Sequence, residues 1–135
     1  MAKTVDTQLT VRYAETDAQG VVHHANYLIW FELGRSSFLR HYGMRYAEWE
    51  KLGLYAVVAD VEVRYRAPAF YDDEVTVTTT LAKARKRFFQ FAYEVRNQQG
   101  ELLVSGTTRH LVTGHDRKPA SLPDNLYNQL LTVLA

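Results

Sequence analysis

The sequence predicts an α+β fold in which one antiparallel five-stranded sheet packs against a single long apolar helix. Three observations lead there. Five stretches carry apolar residues or aromatics on one face at a spacing of two. The last four of these are joined mostly by short turns, which imply antiparallel neighbours. One further stretch, from 27 to about 42, is apolar round much of a helix and has to be covered by something.

Taken in order, Val5, Thr7, Leu9, Val11 and Tyr13 alternate with Asp6, Gln8, Thr10 and Arg12, which predicts a half-buried strand. A polar, glycine-bearing loop follows over 14–26. The helix then places Tyr27, Trp30, Phe31, Gly34 and Phe38 on one face, while Leu28, Ile29 and Leu39 widen the stripe. Gly43 is expected to end it. Gly34 costs helix stability, roughly 1 kcal/mol against alanine, so a close approach to a neighbouring backbone is expected there. A shorter helix is predicted over 46–52.

Four strands follow. In the first, Val61, Val63 and Tyr65 alternate with Glu62, Arg64 and Arg66. Val75, Val77, Thr79 and Leu81 share a face of the second, and Phe89, Phe91, Tyr93 and Val95 a face of the third. The fourth covers 102–113 and ends at a Gly-His-Asp turn. Hairpin turns are expected at 84–87 and 97–100. Residues 122–135 hold a short helix, with Asp124 as its candidate cap. One helix covers one face of such a sheet, yet Phe88 opposes Phe89 and Phe91, so aromatics occupy both faces. Oligomerisation is expected on that ground.

Composition narrows the function. The 135 residues suit one domain, 1–135, and 47% of them are hydrophobic, which is enough for a real core. The formal net charge of +1 lacks the basic excess of a dedicated nucleic-acid binder. With no cysteine, a disulfide framework, a thiol nucleophile and thiolate metal sites are excluded. The start of the chain has no hydrophobic core of a signal peptide, and no apolar run approaches the ~20 residues of a membrane span. A cytoplasmic protein without stable membrane insertion is expected.

Chemistry concentrates in 12–27, where two carboxylates, two histidines and a glycine precede the apolar helix. A helix start presents free N–H groups and a partial positive charge, which suit an anion or a developing oxyanion. A carboxylate beside it can act as base or nucleophile. Polar loops before helices are also common as plain structure. From the residues alone, Asp17 also reads as a turn former and Asn26 as a helix cap, and Glu15 reads as solvated.

The pattern Tyr-x-x-x-Asp-x-x-Gly-x-Val-x-His-Ala-Asn-Tyr over 13–27, followed by Phe31-Glu32 and Arg35, resembles the signature of the 4-hydroxybenzoyl-CoA thioesterase-like hotdog family. It is most similar to the acyl-CoA thioesterase branch associated with the Tol-Pal system. Tyr65-Arg66-Ala67-Pro68-Ala69 and Tyr71-Asp72-Asp73 extend the likeness, and the order of elements agrees along nearly the whole chain. The resemblance implies a hotdog fold, in which the antiparallel five-stranded sheet wraps around one long central helix. It also implies a homodimer or homotetramer with active sites at the subunit interface. On the same basis Asp17 matches the catalytic carboxylate, and His24 the position whose backbone N–H polarises the thioester carbonyl. Tyr13 and the imidazole of His24 match further site residues, and Gly20 the glycine that turns the loop beside the ligand. The chain departs from the branch at Gln19, His23 and Leu33-Gly34, none of which removes a catalytic group.

The expected reaction is hydrolysis of an acyl-CoA thioester, with no metal and no cofactor. The adjacent His23 and His24 lack the spacing of a metal pair. Lys83, Arg85, Lys86 and Arg87 crowd one hairpin. Such a run is a solvated tip, or a hold for the phosphates of CoA. Arg64 and Arg66 are placed likewise. His110 and Arg109, in the last strand, read as structural. Two alternatives remain on sequence: a hotdog thioester dehydratase, and a non-catalytic acyl-thioester-binding or partner protein.

Overall fold

The computed structural model describes residues 3–135. Five strands form one sheet: β1 (Thr4–Thr10), β2 (Tyr55–Tyr65), β3 (Glu74–Ala84), β4 (Phe88–Arg96) and β5 (Leu102–Thr113). All pairings are antiparallel, and the order across the sheet is β1-β3-β4-β5-β2. Three helices accompany it: α1 (Asn26–His41), α2 (Tyr46–Lys51) and α3 (Asp124–Thr132). This is an α+β architecture, as the alternation predicts.

The helix α1 has 16 residues and is thus ~24 Å long. Its buried stripe consists of Tyr27, Trp30, Phe31, Gly34, Phe38 and Leu39. Phe31 stacks on Tyr93 with centroids 4.3 Å apart, and Phe38 meets Phe91 edge-on at 5.5 Å. Each such ring, fully buried, stabilises the fold by roughly 1.5–3 kcal/mol. Gly34 does make a close approach, but to side chains of β3 rather than to the backbone expected. A Cβ there would collide with Thr79 Oγ1 and lie 2.9 Å from Val77 Cγ1, so the glycine lets α1 settle onto β3.

Several boundaries differ from the sequence reading. β1 ends at Thr10, not Tyr13, because the chain leaves β3 there. Val11 N–H donates to Asp73 O at 2.9 Å, and Tyr13–Glu15 coils into one 3-10 turn. β2 begins at Tyr55, six residues early, and carries an irregularity between Val58 and Asp60 that disrupts its alternation. It ends at Tyr65, so Arg66 lies beyond the strand. Asp124 is the first residue of α3 rather than its cap. Its carboxylate instead accepts from Lys86 Nζ at 2.7 Å, a pairing that lowers the aspartate's pKa and raises that of the lysine.

Exposed apolar side chains include Leu28, Ile29 and Leu33 on α1, and Val57, Val58 and Val61 on the edge strand β2. Among the described residues no helix is long and apolar enough to cross a membrane.

Candidate active site

The loop before α1 is held by a residue the sequence reading set aside. Glu15 is buried, not solvated, at 4% exposure. Its Oε2 accepts the indole N–H of Trp30 at 2.8 Å, and its Oε1 accepts Arg12 N–H at 2.8 Å. Its backbone carbonyl takes His23 N–H and the Asn26 side-chain amide, each at 2.9 Å. One residue thereby ties the incoming chain to the first turns of the helix. Its main partner lies fifteen residues away, so no local pattern announces it. Asn26 acts through this bond from inside the helix; the N-cap position is Ala25.

Between Glu15 and His23 the chain makes a narrow excursion. Thr16 and Val22 bridge antiparallel, Asp17 N–H donates to Val21 O at 2.9 Å, and Gly20 N–H donates to Asp17 O at 2.9 Å. Gly20 has φ +81°, a left-handed conformation that a side chain would strain. Asp17 sits at the base of this turn, half-buried. Its Oδ1 accepts Gln19 N–H at 2.8 Å; its Oδ2 has no protein partner among the described residues.

Asp17 borders two concavities. One, of about 360 Å³, is shared with His24, Tyr27, Tyr65 and Arg66. The other, of about 620 Å³, is shared with Tyr13, Gly20 and Tyr71. Tyr13 is well exposed and packs edge-on to Tyr71 at 5.5 Å. Tyr65 donates its hydroxyl to His24 O at 3.0 Å, which fixes the backbone just before α1. The amide N–H of His24 finds no acceptor among the described residues. Its imidazole is exposed and stacks on His23 at 4.2 Å. Burial raises the pKa of the Tyr27 phenol above its usual value. Asp17 and His24 border one cleft, and a carboxylate beside a free backbone amide can attack and polarise a carbonyl.

The structure therefore places His24 and Arg66 beside Asp17 at one concavity, and Tyr13 and Gly20 beside it at the other. It does not bring the other basic residues there. Arg64 lies with Glu62, Glu94 and Ser105 on the far face of the sheet, parted from Arg66 because the strand ends between them. Lys83, Arg85 and Arg87 stay around the β3–β4 hairpin, where Arg85 Nη1 donates to Ala84 O at 2.9 Å. Lys86 is engaged by Asp124 and lies over the Tyr127 ring, 5.9 Å from its centroid.

Comparison with known proteins places the chain. A thioesterase-like superfamily model matches residues 11–130. The acyl-CoA thioester hydrolase YbgC of Escherichia coli O157:H7 is 32% identical over 119 residues, which cover 86% of this chain and 87% of that protein. Among solved structures, a hypothetical protein of Thermus thermophilus superposes with a TM-score of 0.90 at 38% identity, covering 95% of this chain and 98% of the other. A DHNA-CoA thioesterase of Staphylococcus aureus does so with a TM-score of 0.89 at 34% identity, covering 96% and 87%. With a hotdog sheet, a carboxylate loop before α1 and a family match along most of its length, the chain belongs to the thioesterase-like superfamily and is a thioester hydrolase.

Proposed function

We propose that the substrate is an acyl-CoA and that Asp17 and the start of α1 carry out its hydrolysis, releasing a carboxylate and free CoA. The observation behind this is that Asp17 and His24 border the same cleft, and that among the described residues neither Asp17 Oδ2 nor the His24 amide has a partner. Asp17 activates water, or attacks the carbonyl carbon itself and is freed by water in a second step. In either route the thioester C–S bond breaks and the thiolate leaves with a proton. The His24 amide holds the oxyanion; loss of one such donor typically costs ~10²–10³ in rate. Tyr13 and the His24 imidazole flank the carboxylate, and Gly20 keeps the turn open beside the acyl group. The names of the relatives support a CoA thioester as the substrate class.

In this reading Lys83, Arg85 and Arg87, with Arg64 and Arg66, hold CoA phosphates, and the exposed apolar faces of α1 and β2 join subunits. Closure of the sheet around α1 and completion of the site follow in a homodimer or homotetramer in the cytoplasm. Since the basic hairpin does not border the Asp17 cleft of its own chain, its contribution fits a substrate that lies across two subunits.

The test is thiol release over a panel of acyl-CoA thioesters by the wild-type protein and by Asp17→Asn. Release by the first and not by the second is expected. An enoyl thioester as product would indicate dehydration instead, and tight binding with no thiol released would indicate a carrier. Full release by a folded Asp17→Asn protein would sink the assigned role.

A further inference from the structure

The stretch 22–25, between the Asp17 turn and α1, has most of its backbone tied down. Val22 N–H donates to Ala69 O and His23 N–H to Glu15 O, each at 2.9 Å. Ala25 N–H donates to His23 Nδ1 at 3.2 Å. Among the described residues, the His24 N–H alone of these four has no acceptor.

The carbonyls on either side of that amide are held as well. His23 O, in the same peptide group, accepts Asn26 N–H at 3.0 Å. A peptide whose carbonyl already accepts is polarised, and its own N–H becomes a stronger donor. His24 O, one residue on, accepts no backbone N–H among the described residues. Its partner is the Tyr65 hydroxyl, at 3.0 Å. A carbonyl can only accept, so the phenol is the donor. The chain has only two soft torsions at each residue. Fixing the carbonyl before and the carbonyl after restrains both torsions of His24, and its N–H keeps one direction.

Tyr65 is placed to impose that direction. It is the last residue of β2, opposite Val104 of β5, and the N–H groups of Arg66 and Ala67 both donate to Leu103 O, at 2.8 and 3.1 Å. Its ring meets Tyr27 edge-on at 5.6 Å and the His24 ring at 6.4 Å. The phenol is thus anchored in the sheet, while the peptide it grips belongs to the loop. It also borders the Asp17 cleft.

We propose that Tyr65 is a positioning residue of the thioester reaction. Its hydroxyl, through the His24 carbonyl, aims the His24 amide at the oxyanion that develops on the substrate. This rests on the reading in which that amide polarises the thioester carbonyl. Aim matters because an oxyanion donor acts only within roughly 2.7–3.1 Å of the place where the charge develops. The task needs no charge on Tyr65 and no proton transfer from it.

Tyr65→Phe removes the hydroxyl and keeps the ring packing. For acyl-CoA, kcat should fall by at least about tenfold, with KM and the melting temperature little changed. The loss should stay below the ~10²–10³ that follows removal of a donor outright, since the amide is still present. The second readout is the carbonyl stretch, by difference infrared spectroscopy, of an acyl-CoA isotope-labelled at its carbonyl and bound to Asp17→Asn, which should hold it without turnover. The acyl group is that of the panel member the wild-type protein hydrolyses fastest. Binding should lower the frequency below its value in solution, and adding Tyr65→Phe should return it part of the way. A wild-type kcat in Tyr65→Phe would overturn the proposal. So would a raised KM with kcat kept, which marks a plain substrate contact, or a lowered kcat with an unmoved carbonyl frequency, which places the action of Tyr65 elsewhere. Hydrolysis at full rate by Asp17→Asn would instead bring down the reading beneath the proposal, and the proposal with it.

Discussion

The first turn of α1 and its middle both gather polar groups, but they use up their hydrogen bonds differently. At the first turn, Glu15 spends both carboxylate oxygens and its carbonyl inside the fold. Asp17, two residues on, spends one oxygen and keeps the other. Beneath the middle of the helix, the buried Tyr93, Thr108 and His110 are consumed by one another. Burial alone therefore does not separate scaffold from chemistry. Unspent bonding capacity beside a cavity does, because a buried polar group without a partner is costly unless something arrives to satisfy it.

Exchanging roles across this division is the way to break it. The largest effect is expected from Asp17→Asn. Hydrolysis should fall by about 10²–10⁴-fold, the usual contribution of a general base, while the melting temperature hardly moves. Glu15→Ala should do the reverse. It strands the buried Trp30 indole N–H and the Arg12 amide, at a cost of roughly 1–3 kcal/mol for such an unsatisfied group, read by urea denaturation. Glu15→Gln keeps an accepting oxygen and should recover most of that loss with activity intact. If Glu15→Gln abolished hydrolysis without loss of stability, the division between the two carboxylates would be wrong.

The middle of α1 is sharpened by pH. Burial, and secondarily Arg35, pushes the folded-state pKa of His110 down to about 3, below the ordinary value near 6.5. The unfolded chain therefore takes up a proton that the folded one refuses. The stability associated with the neutral ring is complete above about pH 6.5 and is lost as the pH falls toward about 3. The slope should approach ~1.4 kcal/mol per pH unit in that window. His110→Gln removes the titration, so its stability should fall less steeply than that of the wild type between pH 6 and 4; matching slopes would show that the ring is not held neutral. The smallest effect belongs to the hairpin. Alanine at Lys83, Arg85 and Arg87 should raise KM for acyl-CoA several-fold with kcat largely kept, and the loss should shrink in salt.

Much of this was legible because it is local. The Val75, Val77, Thr79, Leu81 face and the Phe89, Phe91, Tyr93, Val95 face emerge buried as their spacing predicts, and α1 falls within a residue of its expected bounds. Asp17 and His24 share a cleft because only six residues separate them. What failed was non-local. Glu15 reads as solvated until Trp30 folds over it. Asp124 reads as a cap until Lys86, thirty-eight residues away, draws off its carboxylate. The first half of β2 does not alternate cleanly because it is an edge strand with an irregular register, so neither face is uniformly buried.

The strand order also dictates when each part of the sheet can assemble. β3, β4 and β5 are sequential neighbours closed by short hairpins, whereas β2 pairs only with β5, the last strand made. Its valines must wait while nearly fifty residues are placed, and the loop entropy of that closure is met late. The folding nucleus should then lie in the β3–β4–β5 meander. Phe91→Leu in β4 should mainly slow folding, while Val63→Ala in β2 should mainly speed unfolding, as measured by stopped-flow chevrons. During synthesis, β2 is the strand whose partner arrives last, and until then it stays open to pairing with the wrong chain.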